Sequence, residues 1–334
     1  MIRMTTSLCP ECYQFIPASI AEQGSSIWME KKCPVHGWFR AMVERDPFWF
    51  WMCSRFNCKN IYDGYLMDIT DRCNLKCKYC YHKCGGSDYD MDGIIADAKA
   101  HKNLEPFSLI GGEPTLHENF PELYRRMCEV GKTTIVTNGV KLCDDSFFKE
   151  CCKCGLLEGY TLNVGLSFHK ESNGKDIEFL EKCRSLKLKL ISAFWVIDNV
   201  VQIDEAVETY AKYRDVITGL RIKAASNLGN EKGAHNKIFT SDMLNYLKDK
   251  GRTDLIVNHD PRQYISNKVS IASVIFEGLS LLLVSWYDRF NVDLNDINCG
   301  PWYKAKNGTV YNLATSLLLN EKHYADARQK SECV

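Results

Sequence analysis

The chain has 334 residues, 45% of them hydrophobic, with 42 basic and 42 acidic side chains and a formal net charge of zero. This length and composition give one large globular domain plus an appendage, and the balanced charge excludes a general electrostatic surface for nucleic acid or anionic membrane. Seventeen cysteines in a chain that opens with no basic, apolar leader are expected to be metal ligands and core residues in a reducing cytoplasm rather than disulfides.

The first motif is Cys9-Pro10-Glu11-Cys12, followed after a 20-residue spacer by Cys33-Pro34-Val35-His36-Gly37. Two knuckles at that spacing supply a tetrahedral Cys3His set of Cys9, Cys12, Cys33 and His36, a set that zinc and mononuclear iron both accept. A ribbon of this size buries little core, so the metal supplies its folding energy and the site reads as a structural staple. The aromatic run Phe48-Trp49-Phe50-Trp51 ends at Cys53, with Cys58 five residues on, and reads as a hydrophobic joint between ribbon and main domain.

From Tyr65, strand-like and helix-like segments alternate. The strands are expected at residues 65–70, 107–110, 133–137, 162–168, 188–197 and 217–224, and six such repeats predict a partial (β/α)6 barrel. Helical spacing links Phe120, Leu123, Tyr124, Met127 and Val130, then Phe147, Phe148, Cys151 and Cys152, then Ile203, Ala206, Val207 and Tyr210. Gly131 and Gly155 stand where the first two helices would stop. Beyond the barrel, residues 229–233 read as a polar loop, Ser241-Asp242 as a helix start, and residues 270–287 as two strands around Glu277-Gly278 rather than a membrane span. The expected division is a ribbon and joint over 1–60, the barrel over 61–238 and an α+β extension over 239–334.

Cys73, Cys77 and Cys80 follow the first of the six strands at C-x3-C-x2-C spacing. A tight triplet leaves one iron of a four-iron cube without a cysteine, free to bind something else. About 30 residues on comes Ile110-Gly111-Gly112-Glu113-Pro114-Thr115, in which paired glycines let the backbone approach a ligand closely.

On these residues the chain resembles the radical S-adenosylmethionine (SAM) enzymes, whose fold is an α/β partial barrel of the TIM type. The resemblance implies a [4Fe-4S] cluster on Cys73, Cys77 and Cys80 with SAM on the open iron. It places Tyr79 against the adenine, Gly111, Gly112, Glu113 and Pro114 beside the SAM ammonium, and Thr137, Asn138, Ser167 and Arg221 at strand ends near the ribose and carboxylate. It further implies a low-potential electron donor of flavodoxin or ferredoxin type, and reductive cleavage of SAM to a 5'-deoxyadenosyl radical that abstracts a substrate hydrogen. The N-terminal Cys-Pro-x-Cys, Ile16-Pro17-Ala18 and Cys-Pro-x-His-Gly series is similar to that of the tetraether lipid synthases and pterin methylases, which implies C–C bond formation, alkylation or rearrangement. The chain departs from that subgroup in having only Cys53 and Cys58 after the ribbon, and Asn312 stands where a C-terminal cluster domain would continue from Cys299. With Cys84 alone in a loop, the expectation is one cube and no auxiliary centre. Two other readings accompany this one: modification of a hypermodified nucleotide or DNA base, and a zinc-ribbon binding protein in which both cysteine groups are structural.

Overall fold

The computed structural model describes residues 2–55, 64–82, 84–225, 237–250, 256–257, 271–295, 301–305, 308–312 and 316–320. Cys58, Cys299, the loop 229–233 and the tail 321–334 lie outside the described residues.

The N-terminal segment is a four-stranded antiparallel sheet in the order β1 (Ile2–Leu8), β2 (Phe15–Gln23), β3 (Ser26–Cys33), β4 (Gly37–Glu44). Alternation along these strands buries Leu8, Ile20, Ile27 and Met29 in a core that continues into the main domain, and α1 (Pro47–Arg55) adds Trp49, Phe50 and Cys53 to it. The aromatic run is therefore a joint, and Cys53 is a packed core thiol.

The main domain runs β5 (Tyr65–Asp68), α2 (Met91–Ala100), β6 (Phe107–Ile110), α3 (Phe120–Val130), β7 (Thr133–Thr137), α4 (Asp145–Cys151), β8 (Leu157–Glu158), β9 (Thr161–Ser167), α5 (Lys175–Ser185), β10 (Lys189–Ile197), α6 (Gln202–Lys212) and β11 (Leu220–Ala224). Then follow α7 (Thr240–Asp249), β12 (Ile256–Val257), β13 (Ile271–Phe276), β14 (Leu279–Val284), β15 (Trp302–Lys304) and β16 (Val310–Asn312). β5, β6, β7, β9, β10 and β11 each pair in parallel with the next, while β8 folds back on β9 as a short antiparallel partner. The helices cover one face because their apolar residues fall in one stripe: in α3 the buried residues are Phe120, Leu123, Tyr124, Met127 and Val130. α2, which the periodicity left unannounced, is short, buries only Ile94, Ile95 and Ala98, and is capped by the Asp90 carboxylate accepting from Gly93 N–H.

Three features differ from the sequence expectation or extend it. Gly131 does cap α3, but with extended backbone at φ −176°; glycine leaves room there for the Glu105 carboxylate, 2.2 Å from where a Cβ would stand, and for the Phe107 ring at 2.9 Å. Gly155, at φ 101°, does use left-handed freedom to end the turn after α4. The segment after 239 also builds the same sheet rather than a separate layer: β14 is a further parallel strand beside β11, and β15 lies parallel to β5 at the other edge. Among the described residues the sheet stays open, ending at β12 on one side and β16 on the other.

The sheet has two unlike faces. Residues in register on the helix side, such as Leu109, Ile135, Val164, Ala193, Ile222 and Leu283, are fully buried. Their neighbours on the inner side, such as Asp68, Ser108, Thr134, Ser192, Arg221 and Lys223, are half-buried and mostly polar. A polar inner face on an otherwise apolar sheet is the expected wall of a ligand chamber.

The ribbon is fixed to the residues just past β14. Asp293 accepts from Arg3 and Thr5, the Ser7 hydroxyl donates to Val292 O at 2.6 Å, and Asn291 Nδ2 donates to Met42 O at 2.9 Å. Lys31, 1% exposed, donates to Ser7 Oγ at 3.0 Å and Arg289 O at 2.9 Å, and burial brings its ammonium down to about 8.

Candidate functional site

The cysteine loop begins where β5 ends and is closed at its base by Thr70, which pairs with Asp88 as an isolated bridge and donates from Oγ1 to Asp88 Oδ1 at 2.6 Å. Within it, Cys80 N–H donates to Cys77 O at 3.3 Å, making a tight turn, and Leu75 N–H points at the Cys73 sulfur at 3.4 Å. The Asp71 carboxylate pairs with His82 Nε2 at 2.9 Å and accepts from the Tyr89 hydroxyl at 2.9 Å, bracing the loop from inside. Cys73, Cys77 and Cys80 are half-buried and close enough to act on one another's charge. Burial pushes all three thiols up, Cys77 to about 12 with help from the Glu171 carboxylate. Iron binds the thiolate, so loading this loop releases protons. Three soft sulfurs in one braced loop fit a cuboidal iron–sulfur cluster, and the loop's position at the carboxyl end of a parallel strand is where such folds place their chemistry.

Gly111 and Gly112 form the second wall. Gly112 N–H donates to Thr70 O at 2.8 Å and Glu113 N–H to Arg72 O at 2.8 Å. A Cβ on Gly111 would meet Thr70 O at 2.4 Å and one on Gly112 would meet Arg72 O at 2.2 Å. The close approach that these glycines permit is thus to the backbone of the cysteine loop itself. The Glu113 carboxylate, 2% exposed, accepts from Thr115 N–H at 3.1 Å, Thr115 Oγ1 at 2.6 Å, Thr137 Oγ1 at 2.6 Å and Asn138 N–H at 2.8 Å. Burial raises its pKa even against those donors. Asn138 Nδ2 then donates to Asn74 Oδ1 at 2.8 Å, so a chain of bonds runs from β7 through Glu113 to the cysteine loop. Pro114 is buried at the start of the turn Pro114–Leu116.

The remaining expected residues spread across the mouth. Tyr79 is half-buried; its hydroxyl donates to Asp198 at the carboxyl end of β10, and Lys78 Nζ lies 4.8 Å from its ring centroid. Ser167 ends β9 opposite Phe194, and the Arg221 guanidinium lies 5.3 Å from the Phe194 ring. Cys77 Sγ, a His169 nitrogen and a Glu171 oxygen lie within 4.8 Å of one another, and Lys78 N–H donates to Glu171 at 3.3 Å. Sequence reasoning missed Glu171 and Asp198, because their partners lie 93 and 119 positions away. It also separated Cys84 from the triplet, whereas the Cys84 thiol, at the exposed rim of the loop, is close enough to Cys73 and Cys80 for their charges to act on it.

In the ribbon, Cys9, Cys12, Cys33 and His36 bring their four ligand atoms within 4.8 Å of one another. Cys12 and Cys33 sulfurs are 3.9 Å apart, and His36 Nδ1 is 3.6 Å from Cys9 and 3.5 Å from Cys33. Tetrahedral zinc with bonds of about 2.3 Å to sulfur and about 2.0 Å to nitrogen has edges of about 3.8 Å and about 3.5 Å, so the donor set fits. Gly37, at φ 79°, makes the return after His36. Burial pushes the Cys33 thiol up, but backbone N–H groups of His36 and Val35 and the His36 ring outweigh it and hold it at about 6, toward the thiolate that a metal takes.

Comparison with known proteins agrees with both halves. Residues 1–45 match the family model of the HMPTM N-terminal zinc ribbon domain, and residues 67–166 match that of the radical SAM superfamily. The chain is 25% identical over 276 residues to 7,8-dihydro-6-hydroxymethylpterin dimethyltransferase of Methanocaldococcus jannaschii, covering 69% of this chain and 54% of that protein. It thus spans about half the length of that relative. A protein of the same organism named for glycyl-radical enzyme activation is 30% identical over 199 residues, covering 54% of this chain and 77% of its own length. In fold, the chain is similar to Streptococcus suis SuiB bound to its precursor peptide SuiA, with a TM-score of 0.53 at 16% identity over 77% of this chain and 61% of that one. The expectation of a radical SAM enzyme, with its [4Fe-4S] cluster, SAM and a metal in the ribbon, therefore holds, and the binding-module reading falls away: the chain belongs to the radical SAM superfamily and carries a zinc ribbon of the HMPTM type ahead of its catalytic sheet.

Proposed function

We propose that the chain is a carbon-alkylating or carbon-rearranging radical SAM enzyme acting on a ring-bearing small molecule of the pterin kind. The observation that carries this reading is the joint arrangement of a Cys3His ribbon docked on a radical SAM sheet, which it shares in sequence with the pterin dimethyltransferase. When bound, the cluster and SAM supply a 5'-deoxyadenosyl radical able to take a hydrogen atom from an unreactive C–H bond.

The chain's own residues would hold and shield that chemistry. Cys73, Cys77 and Cys80 would hold the cluster, and the Leu75 N–H aimed at the Cys73 sulfur would favour its reduced state by hydrogen bonding. Gly111, Gly112, Glu113, Thr137 and Asn138 fix the loop's backbone, with Glu113 acting through its four donors. Tyr79, Ser167 and Arg221, set around the mouth, contact SAM. The ribbon metal orders the wall beside β14 and takes no part in bond making, because a closed Cys3His site has no open position. Electrons would come from a low-potential donor of flavodoxin or ferredoxin type reaching the exposed rim near Cys84. Among the described residues no helix is long and apolar enough to cross a membrane.

The test is anaerobic incubation of the reconstituted protein with SAM, reductant and deuterated 7,8-dihydro-6-hydroxymethylpterin. Deuterium in 5'-deoxyadenosine together with an alkylated pterin supports the reading. SAM cleavage without deuterium transfer from this pterin, but with transfer from a nucleotide, would replace it with the nucleotide-modifying alternative.

A further inference from the structure

The inner face of the sheet carries a group that the cysteine loop does not use. β11 places Arg221 and Lys223 two residues apart on this face; the register sets Phe194 and Val196 of β10 beside them on one side, and Leu282 and Val284 of β14 on the other. Trp286, half-buried, lies two residues past Val284. Lys223 Nζ is 4.4 Å from the Phe194 ring centroid and 5.8 Å from that of Trp286. The Phe194 ring lies against β9 at Gly165, where an added Cβ would stand 2.5 Å from its Cε2, so the glycine makes the room the ring occupies.

Among the described residues Lys223 differs from the other two lysines, Lys31 and Lys237, whose ammonium groups desolvation draws down. Lys31 donates to Ser7 and to Arg289 O, and Lys237 faces Asp288 at 3.5 Å. Lys223 has no hydrogen bond or ion pair among the described residues, and its charged neighbour on the strand is Arg221, of the same sign. Burial first, and Arg221 second, bring its ammonium down to about 7. Ring faces attract a cation but do not replace a counter-ion, so an ammonium in this position is costly until an anion reaches it. Since the chain's net charge is zero, the pair of cations is a local construction rather than part of a basic surface. The pair also stands on the cluster's side of the chamber: His169, whose ring lies by Cys77, feels the Lys223 charge.

We propose that Lys223 anchors a carboxylate or phosphate of the substrate, next to the Arg221 that faces SAM, and that Phe194 and Trp286 pack against a flat apolar body next to that group. Calling the bound anion a substrate rests on the radical enzyme reading; the anion site itself does not. Within the pterin kind the site favours planar molecules bearing an oxyanion, such as a phosphorylated heterocycle, whereas a neutral hydroxymethylpterin would turn over with the anion site unfilled.

Phenyl phosphate and its neutral counterpart benzyl alcohol are suitable probes, titrated calorimetrically into the anaerobically reconstituted full chain, with SAM titrated in parallel. Wild type should bind phenyl phosphate saturably and at least about tenfold tighter than benzyl alcohol. Lys223→Met and Lys223→Gln should each remove that preference, Lys223→Arg should keep most of it, and SAM affinity should stay within about twofold in all three. Lys223 is half-buried and makes no hydrogen bond or ion pair among the described residues, so these variants keep the fold and remain measurable. Failure of wild type to bind phenyl phosphate, or an unchanged preference in Lys223→Met, overturns the proposal. A fall in SAM affinity parallel to the loss of phosphate binding also overturns it, by assigning Lys223 to the SAM carboxylate. Phosphate binding without any SAM cleavage would sink the radical reading and leave the anion site standing.

Discussion

Substituting Gly112 by alanine should empty the cluster loop without unfolding the protein. The new Cβ would stand 2.2 Å from the Arg72 carbonyl oxygen, 2.7 Å from its carbon and 3.2 Å from the Asp71 carbonyl carbon, all of them backbone atoms. Carbon and oxygen relax to about 3.3 Å or more, so the loop must retreat by about 1 Å directly before Cys73. Metal–ligand distances tolerate about 0.2 Å, and the same retreat strains the Glu113 N–H to Arg72 O and Gly112 N–H to Thr70 O bonds, both 2.8 Å, each worth about 1 kcal/mol. The sequence alone suggests the opposite, a variant that assembles its cluster but excludes SAM. Anaerobic reconstitution with iron, sulfide and zinc counting distinguishes the two: iron and sulfide should fall several-fold while ribbon zinc and the circular dichroism spectrum stay at wild-type values. Gly219→Ala is the control, since its Cβ meets only Ser280 O at 4.0 Å. A full four-iron complement in Gly112→Ala would refute the argument.

Changing Cys73, Cys77 and Cys80 together to alanine should abolish 5'-deoxyadenosine formation with the fold retained, whereas Cys84→Ala should leave about four sulfides per chain, the content of a single cube, by sulfide counting. Cys12→Ala should release the ribbon metal and lower the melting temperature far more than it lowers cluster content, because the ribbon's fold depends on its ion; equal loss of both would contradict this. Stability should also fall as pH rises between about 4.5 and about 7 through Glu44, which burial pushes up to about 7 and which accepts from Ser241 across the ribbon–barrel boundary. The folded chain holds that proton where the unfolded chain has lost it, so the loss approaches about 3 kcal/mol above that window, and denaturant midpoints for Glu44→Gln should be flatter across it.

The parts of this molecule that are legible in its sequence are those whose signals are local. The cysteine triplet lies within one loop and the ribbon set within two tight hairpin turns, β1–β2 and β3–β4, and the six sheet strands lie within a few residues of their expected bounds, because alternation and turn residues report on neighbours along the chain. What sequence could not supply is pairing across distance. The addition of β14 beside β11, the Tyr79–Asp198 bond and the contact of Glu171 with the cysteine loop depend on sheet curvature and on which strand lies next to which. Glu113 shows the same limit differently. Its place in a glycine motif suggests a ligand contact, yet four donors converge on its carboxylate from β7 and its own turn, and no property of the hexapeptide reveals them.

The clasp between the first strand and the residues after β14 has a bearing on how the molecule is made. Arg3 and Thr5 find their acceptor 290 and 288 positions later, and Lys31 finds one of its acceptors 258 positions later. During synthesis the ribbon can gather its ion once His36 has emerged, but its buried edge stays unpaired until nearly the whole sheet has been delivered. Such late closure slows assembly and leaves a charged lysine and an open strand edge exposed in the interval. A nascent chain halted before Ser285 should therefore carry metal in its ribbon yet show that ribbon cut by protease, and release of the remaining residues should protect it, because a module already loaded with metal is locked in place only when the residues after β14 arrive.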